Sequence, residues 1–455
     1  MSAPAPAADP APSTRPLNKT PKPLYGALPR GRRAVDGLSE EDVAADQRRR
    51  LYGAMIELVA ERGYAGVSTR ALARLARMSK QDMYRHFPGK QSYFLATYDM
   101  IVARASERVA AAYAVGGDWQ QRLRAAFKAL AAEVAEEPKA ARLGLSEVLG
   151  AGPAGVERME RTRGLFEAMV GASFAQAPGG RPLPPLIVKG IVRGVERIIR
   201  QRLLSGRAQE LPGLADELMA WALSYHSSAL AELSRPPAPS HRIAGSLRAK
   251  SADERILVLR AAAHLAAVRG WEQLTPSMIA QRVELPAERV LEHWGGSPQQ
   301  CFLDALELLS LEALVCGAAA ARGAKDRPTG VHRAVTALME RVARDRVLCR
   351  IAFVEIFALG PCAIERREAL LATFTDRLSR SLPADRRPSP LIVEAIVGAL
   401  WGTLHHHATR GEAHLLPGLA DQTTYLALAP ALGAQDAISA IVADRYREPI
   451  HAQAG

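Results

Sequence analysis

Aromatic residues supply only 5% of this 455-residue chain. That is too few for the aromatic enrichment of strand-rich proteins, whereas Ala, Leu, Arg and Glu abound, so an all-α class is expected. Four cysteines, Cys301, Cys316, Cys349 and Cys362, all fall in the second half without a CxxC pair. This argues against a disulfide framework or a structural zinc site and leaves buried thiols. No apolar run approaches the roughly 18 residues of a membrane span. The Pro/Ala-rich start also lacks the apolar core of a secretory signal, so a cytoplasmic protein without membrane contact is expected. No nucleophile and base pair, phosphate loop or metal motif stands out, so neither enzyme activity nor a cofactor is expected.

What is present is a repeat. Leu211–Asp216 returns letter for letter as Leu416–Asp421, and Leu186–Val188 as Leu391–Val393, each displaced by 205 positions. Solenoid periods run about 20 to 50 residues, so this period reads as duplication of a whole domain. The formal charge of +12 points toward a polyanion, and its placement says more. From Gln47 to Met100 there are ten Arg and Lys against four Asp and Glu, a surplus of +6; from Ser251 to Ser310 five stand against eight, a deficit of −3. One copy suits phosphate and the other does not.

Residues 1–45 are Pro- and Ala-rich without an apolar period, which suggests a disordered basic arm. Arg30, Arg32 and Arg33, with Arg15, Lys19 and Lys22 upstream, suit either a minor-groove arm or a solvated tail. From Arg48 a helical period places Leu51, Met55, Leu58 and Val59 on one face, ending at Gly63. Ser68 or Thr69 then caps a short helix through Ala76, and Ser79 caps another through Arg85 or His86. Pro88 and Gly89 break the chain before a long helix carrying Tyr93, Phe94, Ala96, Thr97 and Ile101. Two short helices in a tight turn after a longer one make a helix-turn-helix.

Arg62-Gly63-Tyr64, Ser68-Thr69, Leu72-Ala73, Ser79, Tyr84-Arg85-His86-Phe87 and Lys90 together resemble the DNA-binding head of the TetR family of transcriptional regulators, over about 55 residues. The resemblance implies two tandem TetR-like units, each a helix-turn-helix head followed by a helical-bundle regulatory and dimerisation domain. The expected parts are an arm at 1–45, a head at 46–113, a regulatory domain at 114–234, a linker at 235–250, a degenerate head at 251–321 and a second regulatory domain at 322–455. In the second head Arg269-Gly270-Trp271, Thr275, Ile279-Ala280 and His293-Trp294 keep the packing frame. Its reading surface differs: Tyr84, Arg85, Lys80 and Gln81 align with Leu291, Glu292, Ala287 and Glu288. Glu284, Glu288 and Glu292, four apart, are expected on one face of its second short helix, where they would repel a duplex.

The regulatory helices are read near Trp119–Glu136, Lys139–Leu149, Pro153–Phe174, Pro184–Ser205 and Pro212–Leu233, with counterparts up to about Ala431 and a last helix over Gln435–Arg447. In TetR relatives the last two such helices form a four-helix dimer interface. Pro184–Leu233 and Pro388–Ala431 carry the closest identity between copies, which suggests that they pair within one chain as a pseudodimer, with further homodimerisation open.

The resemblance gives Thr69, Tyr84 and Lys90 to phosphate contacts, which position without reading sequence. Arg70, Lys80, Gln81 and Arg85 project from the short helices, where Gln, Arg and Lys pair with base edges. Ser79 completes the DNA-contacting set. His86 recurs as His293 and is assigned to the fold, as is Phe87. An effector pocket lined by Met159, Phe166, Met169, Phe174, Trp221 and Tyr225, or by Phe353, Phe357 and Trp401 in the second half, competes with plain core for the same apolar spacing. His405, His406 and His407 point about 100° apart on a helix and cannot chelate one ion together. The function expected is a sequence-specific, ligand-responsive repressor bound to double-stranded DNA, answering a small apolar or aromatic effector. The alternative is a ligand- or partner-binding module that kept the fold without reading DNA.

Overall fold

A computed structural model describes residues 39–177, 182–226, 233, 253–359 and 361–445, and every regular element among them is helical. The basic residues from Arg15 to Arg33, the linker at 235–250 and the side chains of Phe357 and Cys362 lie outside what is described.

The first helix, α1 (Glu40–Gly66), begins earlier than the apolar period suggested. Ser39 accepts a bond from the Asp42 amide while the Asp42 carboxylate accepts from the Ser39 amide, a capping box that starts a helix on polar residues alone. Residues 40–45, expected to belong to the disordered arm, are therefore helical. Gly63 breaks α1 with φ +68°, ψ 165°, a conformation closed to residues with a Cβ. The turn between α2 (Thr69–Ala76) and α3 (Lys80–His86) runs through Arg77 at φ 53°, ψ 49°. Ser68 caps α2 and Ser79 caps α3, each accepting from the amide three residues on. Leu51, Met55, Val59, Leu72, Met83, Tyr93 and Phe94 close the core of this head.

From the head, α4 (Lys90–Ala114) runs into a bundle of α5 (Trp119–Glu136), α6 (Pro138–Leu145), α7 (Pro153–Phe174), α8 (Pro185–Leu204) and α9 (Leu211–Leu223). The expected helix over Lys139–Leu149 is broken: α6 ends at Leu145 and a 3-10 turn follows over Glu147–Ala151. Gly155 explains the tight join, since a Cβ there would lie 2.0 Å from the Val148 carbonyl oxygen.

The second half runs α10 (Glu254–Arg269), α11 (Pro276–Val283), α12 (Ala287–His293), α13 (Pro298–Ala321), α14 (Arg327–Arg344), α15 (Arg346–Phe353), α16 (Pro361–Ser381), α17 (Pro390–Thr409), α18 (Ala420–Leu432) and α19 (Ala434–Arg445). The repeated hexapeptide takes two conformations. Leu211–Asp216 opens α9, whereas Leu416–Leu419 ends a 3-10 turn and only Ala420 and Asp421 enter α18. Identical sequence yields here to different packing. Of the cysteines, Cys301 is buried, but Cys316 and Cys349 are only partly so.

The two halves meet along α8 and α17, the most extensive helix pair in the molecule. Glycines allow the close crossing. A Cβ on Gly398 would lie 2.6 Å from the Arg197 Cβ, and one on Gly402 2.6 Å from the Arg193 Cβ; a Cβ on Gly194 would meet the Ala395 carbonyl at 2.6 Å. Beside this crossing the Trp221 indole donates to the Tyr225 hydroxyl at 2.8 Å, which donates to the Leu426 carbonyl at 2.8 Å. The Tyr425 hydroxyl donates back to the Tyr225 carbonyl at 3.0 Å. All of these groups are buried, so the chain of bonds fixes α9 against α18 at little desolvation cost.

Candidate nucleic-acid interface and internal cavity

The outer face of the first head is cationic and open. Arg70, Arg74, Arg77, Lys80, Gln81, Tyr84 and Arg85 are all exposed, with Thr69 at the edge of the same face. Tyr84 keeps 52% of its surface, high for a tyrosine that packing would otherwise claim. Arg85 reaches Asp82 at 3.5 Å while its side chain stays 72% exposed, a pairing worth little in water. The face therefore offers guanidinium, ammonium, amide and phenol donors together, the set that meets phosphate oxygens and base edges.

Two of the expected DNA contacts also serve the fold. The Lys90 ammonium donates to the carbonyls of Tyr64 at 3.2 Å and Ala65 at 3.4 Å, and sits 4.4 Å from the centre of the Tyr64 ring. The Ser79 hydroxyl donates to the Asp82 carboxylate while capping α3. His86 is a structural residue: it bonds Gln47 at 2.7 Å, and burial followed by the Arg48 charge lowers its pKa. Phe87 packs edge-on against Tyr93. Arg50, which carried no signal in the sequence, donates to Asp46 and to the carbonyls of Ala76 and Arg77, and so holds the turn that orients α3.

In the stretch expected to form a second head, the three carboxylates do not share one helix face. Glu284 is not on α12; it occupies the left-handed position that closes α11, φ 58°, ψ 37°, where Arg77 stands in the first head. Glu288 and Glu292 remain on α12, but Arg289 bonds Glu292 at 2.7 Å and Glu254 at 2.8 Å. Leu291, at the Tyr84 position, is 54% exposed. Pro286 replaces the capping Ser79, so α12 has no side-chain cap.

The first bundle encloses a cavity of about 180 Å³, above the ~150 Å³ that holds a benzene ring. Of the six pocket candidates, Met159, Phe166 and Met169 line it. The other three do not: Phe174 packs into the core against Trp119, and Trp221 and Tyr225 belong to the seam with the second half. In the second half Phe353 and Trp401 pack ring to ring. The cavity wall also includes Tyr98, Ile101, Val102 and Val109 of α4, Leu123 and Phe127 of α5, and Ile191 of α8. Their spacing gave no sign of it, because a lining helix and a core helix show the same apolar period. Its polar groups are few. The Tyr98 hydroxyl donates to Thr162 at 2.8 Å, and Arg163 makes a two-pronged bond to Glu196 at 2.7 and 2.6 Å. Burial pushes the Glu137 carboxyl above its usual range.

The cavity is wired to the head through α4. Tyr98 and Ile101 lie two to three turns beyond Lys90 on one continuous helix. The Gln91 amide donates to the Ala151 carbonyl at 2.8 Å, and the Tyr64 amide to Glu147 at 2.9 Å, both across to the join of α6 and α7. Among the described residues no group of three or more potential ligands converges on a metal position. His406 bonds Lys189 and lies 3.5 Å from Glu160, so it bridges the halves. No helix of the described residues is long and apolar enough to cross a membrane.

Residues 52–97 match the sequence profile described as bacterial regulatory proteins, tetR family. No curated protein matches the chain. Among solved structures, the chain is similar to the fatty acid degradation regulator FadR from Bacillus halodurans, with 14% identity, a TM-score of 0.36, and coverage of 39% of this chain and 94% of that one. It is also similar to a TetR-like transcriptional regulator from Rhodococcus sp. RHA1, with 19% identity, a TM-score of 0.35, and coverage of 40% and 98%. Over residues 52–97, within the first head, the chain is similar to the tetR family of bacterial regulatory proteins.

Proposed function

We propose that this chain is a ligand-responsive, sequence-specific repressor that works as a pseudodimer folded from one polypeptide, with a single head that reads DNA. The observation that carries the reading is the contrast between the two heads. Around α3 the exposed groups are Lys80, Gln81, Tyr84 and Arg85, whereas around α12 they are Ala287, Glu288, Leu291 and Glu292. Against a duplex carrying about one charge per 1.7 Å of axis, the first arrangement gains by releasing counterions and the second does not.

The pairing of the halves supports the pseudodimer. With the displacement of 205, Arg193 corresponds to position 398 and Arg197 to 402. The tight contacts are Arg197 to Gly398 and Arg193 to Gly402, which is the crossed pattern of a two-fold interface. Two copies of the first half would bring arginine against arginine there. The glycines of the second half make the intrachain partner fit better.

An effector in the first cavity presses on Tyr98, Ile101 and Val102 of α4, whose other end is anchored beside the head by Lys90 and Gln91. A ligand that prefers one position of α4 shifts the population of heads able to enter the groove. Selection of bound DNA from a random pool by the purified full chain tests the reading. A short, non-palindromic motif is expected. A palindrome would show two chains pairing on DNA and refute single-head action, and no enriched motif would refute sequence reading altogether.

A further inference from the structure

Between the halves lies a second, smaller gap of about 40 Å³ whose lining is unusual: Arg163, Arg193, Arg197 and Arg200 from the first half and Arg367 from the second, with Glu196, His405, Trp401, Gly398 and Gly402. All five guanidinium groups are deeply placed, none exposing more than 15% of its side chain. Three carboxylates answer them. Glu196 pairs with Arg163 and Arg200, Glu160 with Arg163 and Arg193, and Glu368 with Arg197 and Arg367. Among the described residues that face the gap, five guanidinium groups meet three carboxylates.

Donors on two of these guanidinium groups are unmet. Arg193, 5% exposed, bonds Glu160 through one terminal nitrogen, while its Nε and Nη1 are buried without a partner; Arg197 bonds Glu368, and its Nε likewise has none. A buried N–H without an acceptor is destabilising, and more so on a charged group. Gly398 and Gly402 line the same gap, and a Cβ on either would stand 2.6 Å from the stem of Arg197 or Arg193. The electrostatics agree: burial and then the neighbouring Arg200 charge pull Arg367 down to about 10, and burial and then Arg163 lower Arg193. The neighbouring carboxylates, by contrast, hold Arg163 above its usual value, so the repulsion falls on Arg193 and Arg367.

We infer that this gap is a binding site for a small monovalent oxyanion, a carboxylate group, held by the free N–H groups of Arg193 and Arg197 and fastening α8 to α17. A carboxylate fits better than a bare point charge, because its two oxygens match the planar forks of guanidinium groups. The volume suits a carboxylate head and little more. Two sources share this chemistry: a free short carboxylate, or the head of a longer acid whose apolar chain continues into the larger cavity, with which the gap shares Arg163 and Glu196 in its walls. The site stands on the geometry of the seam and does not depend on DNA reading.

The test uses the full chain. Its thermal midpoint is followed against added acetate, and separately octanoate, with ionic strength balanced by gluconate, whose hydroxylated chain is too bulky for the gap and too polar for the apolar cavity. A saturable rise in Tm with acetate is expected, and Arg193→Met should remove at least tenfold of the apparent affinity. Arg197→Gln, which leaves Arg193 in place, serves the same purpose if Arg193→Met does not fold. Octanoate saturating at much lower concentration than acetate, with the same loss in the variants, assigns the site to the head of a longer acid. Equal saturation of the two acids assigns it to a free carboxylate. No saturable rise with either acid, or the same rise in parent and both variants, overturns the proposal.

Discussion

Replacing Gly402 by alanine tests how the halves are joined, because the same change elsewhere should have the opposite sign. In a helix interior, Gly→Ala ordinarily stabilises by about 0.5–1 kcal/mol, since alanine loses less backbone freedom. Gly164, exposed in the middle of α7 with nothing within 4 Å of a built Cβ, should show that gain. At Gly402 the Cβ would stand 2.6 Å from both Cβ and Cγ of Arg193. These atoms are the base of a buried side chain, so only a shift of α8 against α17 relieves the overlap. Overpacking of this kind costs roughly 1–3 kcal/mol, leaving Gly402→Ala destabilised by about 1–2 kcal/mol net. Gly398→Ala, which meets Arg197 in the same way, should add to it in the double variant. Thermal unfolding followed by far-ultraviolet circular dichroism reads the sign of each shift. If Gly402→Ala raises Tm as Gly164→Ala does, the close crossing of α8 and α17 is wrong, and with it the pairing of the halves.

Three further outcomes are expected. Ser68→Ala should cost about 1 kcal/mol by removing the acceptor for the Ala71 amide at the start of α2, and should weaken DNA binding more than it lowers the Tm of the whole chain. Arg163→Met should cost about 3 kcal/mol, because Glu196 stays buried with one fewer partner; adding Glu196→Gln should recover part of the loss in an equilibrium denaturation series. His405 is buried, and that burial, then the charges of Arg163 and Arg193, holds its pKa down to about 3 against 6.5. Its contribution is fully present above pH 6.5 and is lost as pH falls toward 3, because the unfolded chain takes up a proton that the folded one refuses. Replacing it with Leu should therefore flatten the fall in stability between pH 6.5 and 5 by up to about 1 kcal/mol per pH unit; an unchanged slope would show that His405 is not held neutral.

The head was legible from the chain because local rules govern it: Ser68 and Ser79 cap α2 and α3, and Gly63 takes the one conformation that only glycine accepts easily. Trp119–Glu136 and Pro153–Phe174 were likewise bounded by local signals, Asp118 capping the first and proline opening the second. Three things escaped. The cavity was half visible, since Met159, Phe166 and Met169 line it but Trp221 and Tyr225 turn to the seam; apolar period marks burial, not which neighbour is met. Glu284 was misplaced by assuming a helix through Leu285 and Pro286, where the chain in fact turns. The arginine gap was invisible because Arg193 and Arg367 are 174 positions apart in sequence and meet only when α8 and the second half pack together.

The central claim is that one head reads DNA and the other does not. It is tested most directly by fluorescence anisotropy on a duplex recovered by selection with the parent chain, comparing the double variant Lys80→Ala, Arg85→Ala with Arg289→Ala. The first should lose at least about tenfold in affinity and show a smaller salt slope, since it removes donors worth about 1–3 kcal/mol each. Arg289→Ala should bind like the parent. Equal losses in the two variants, or none in the first, would contradict the account.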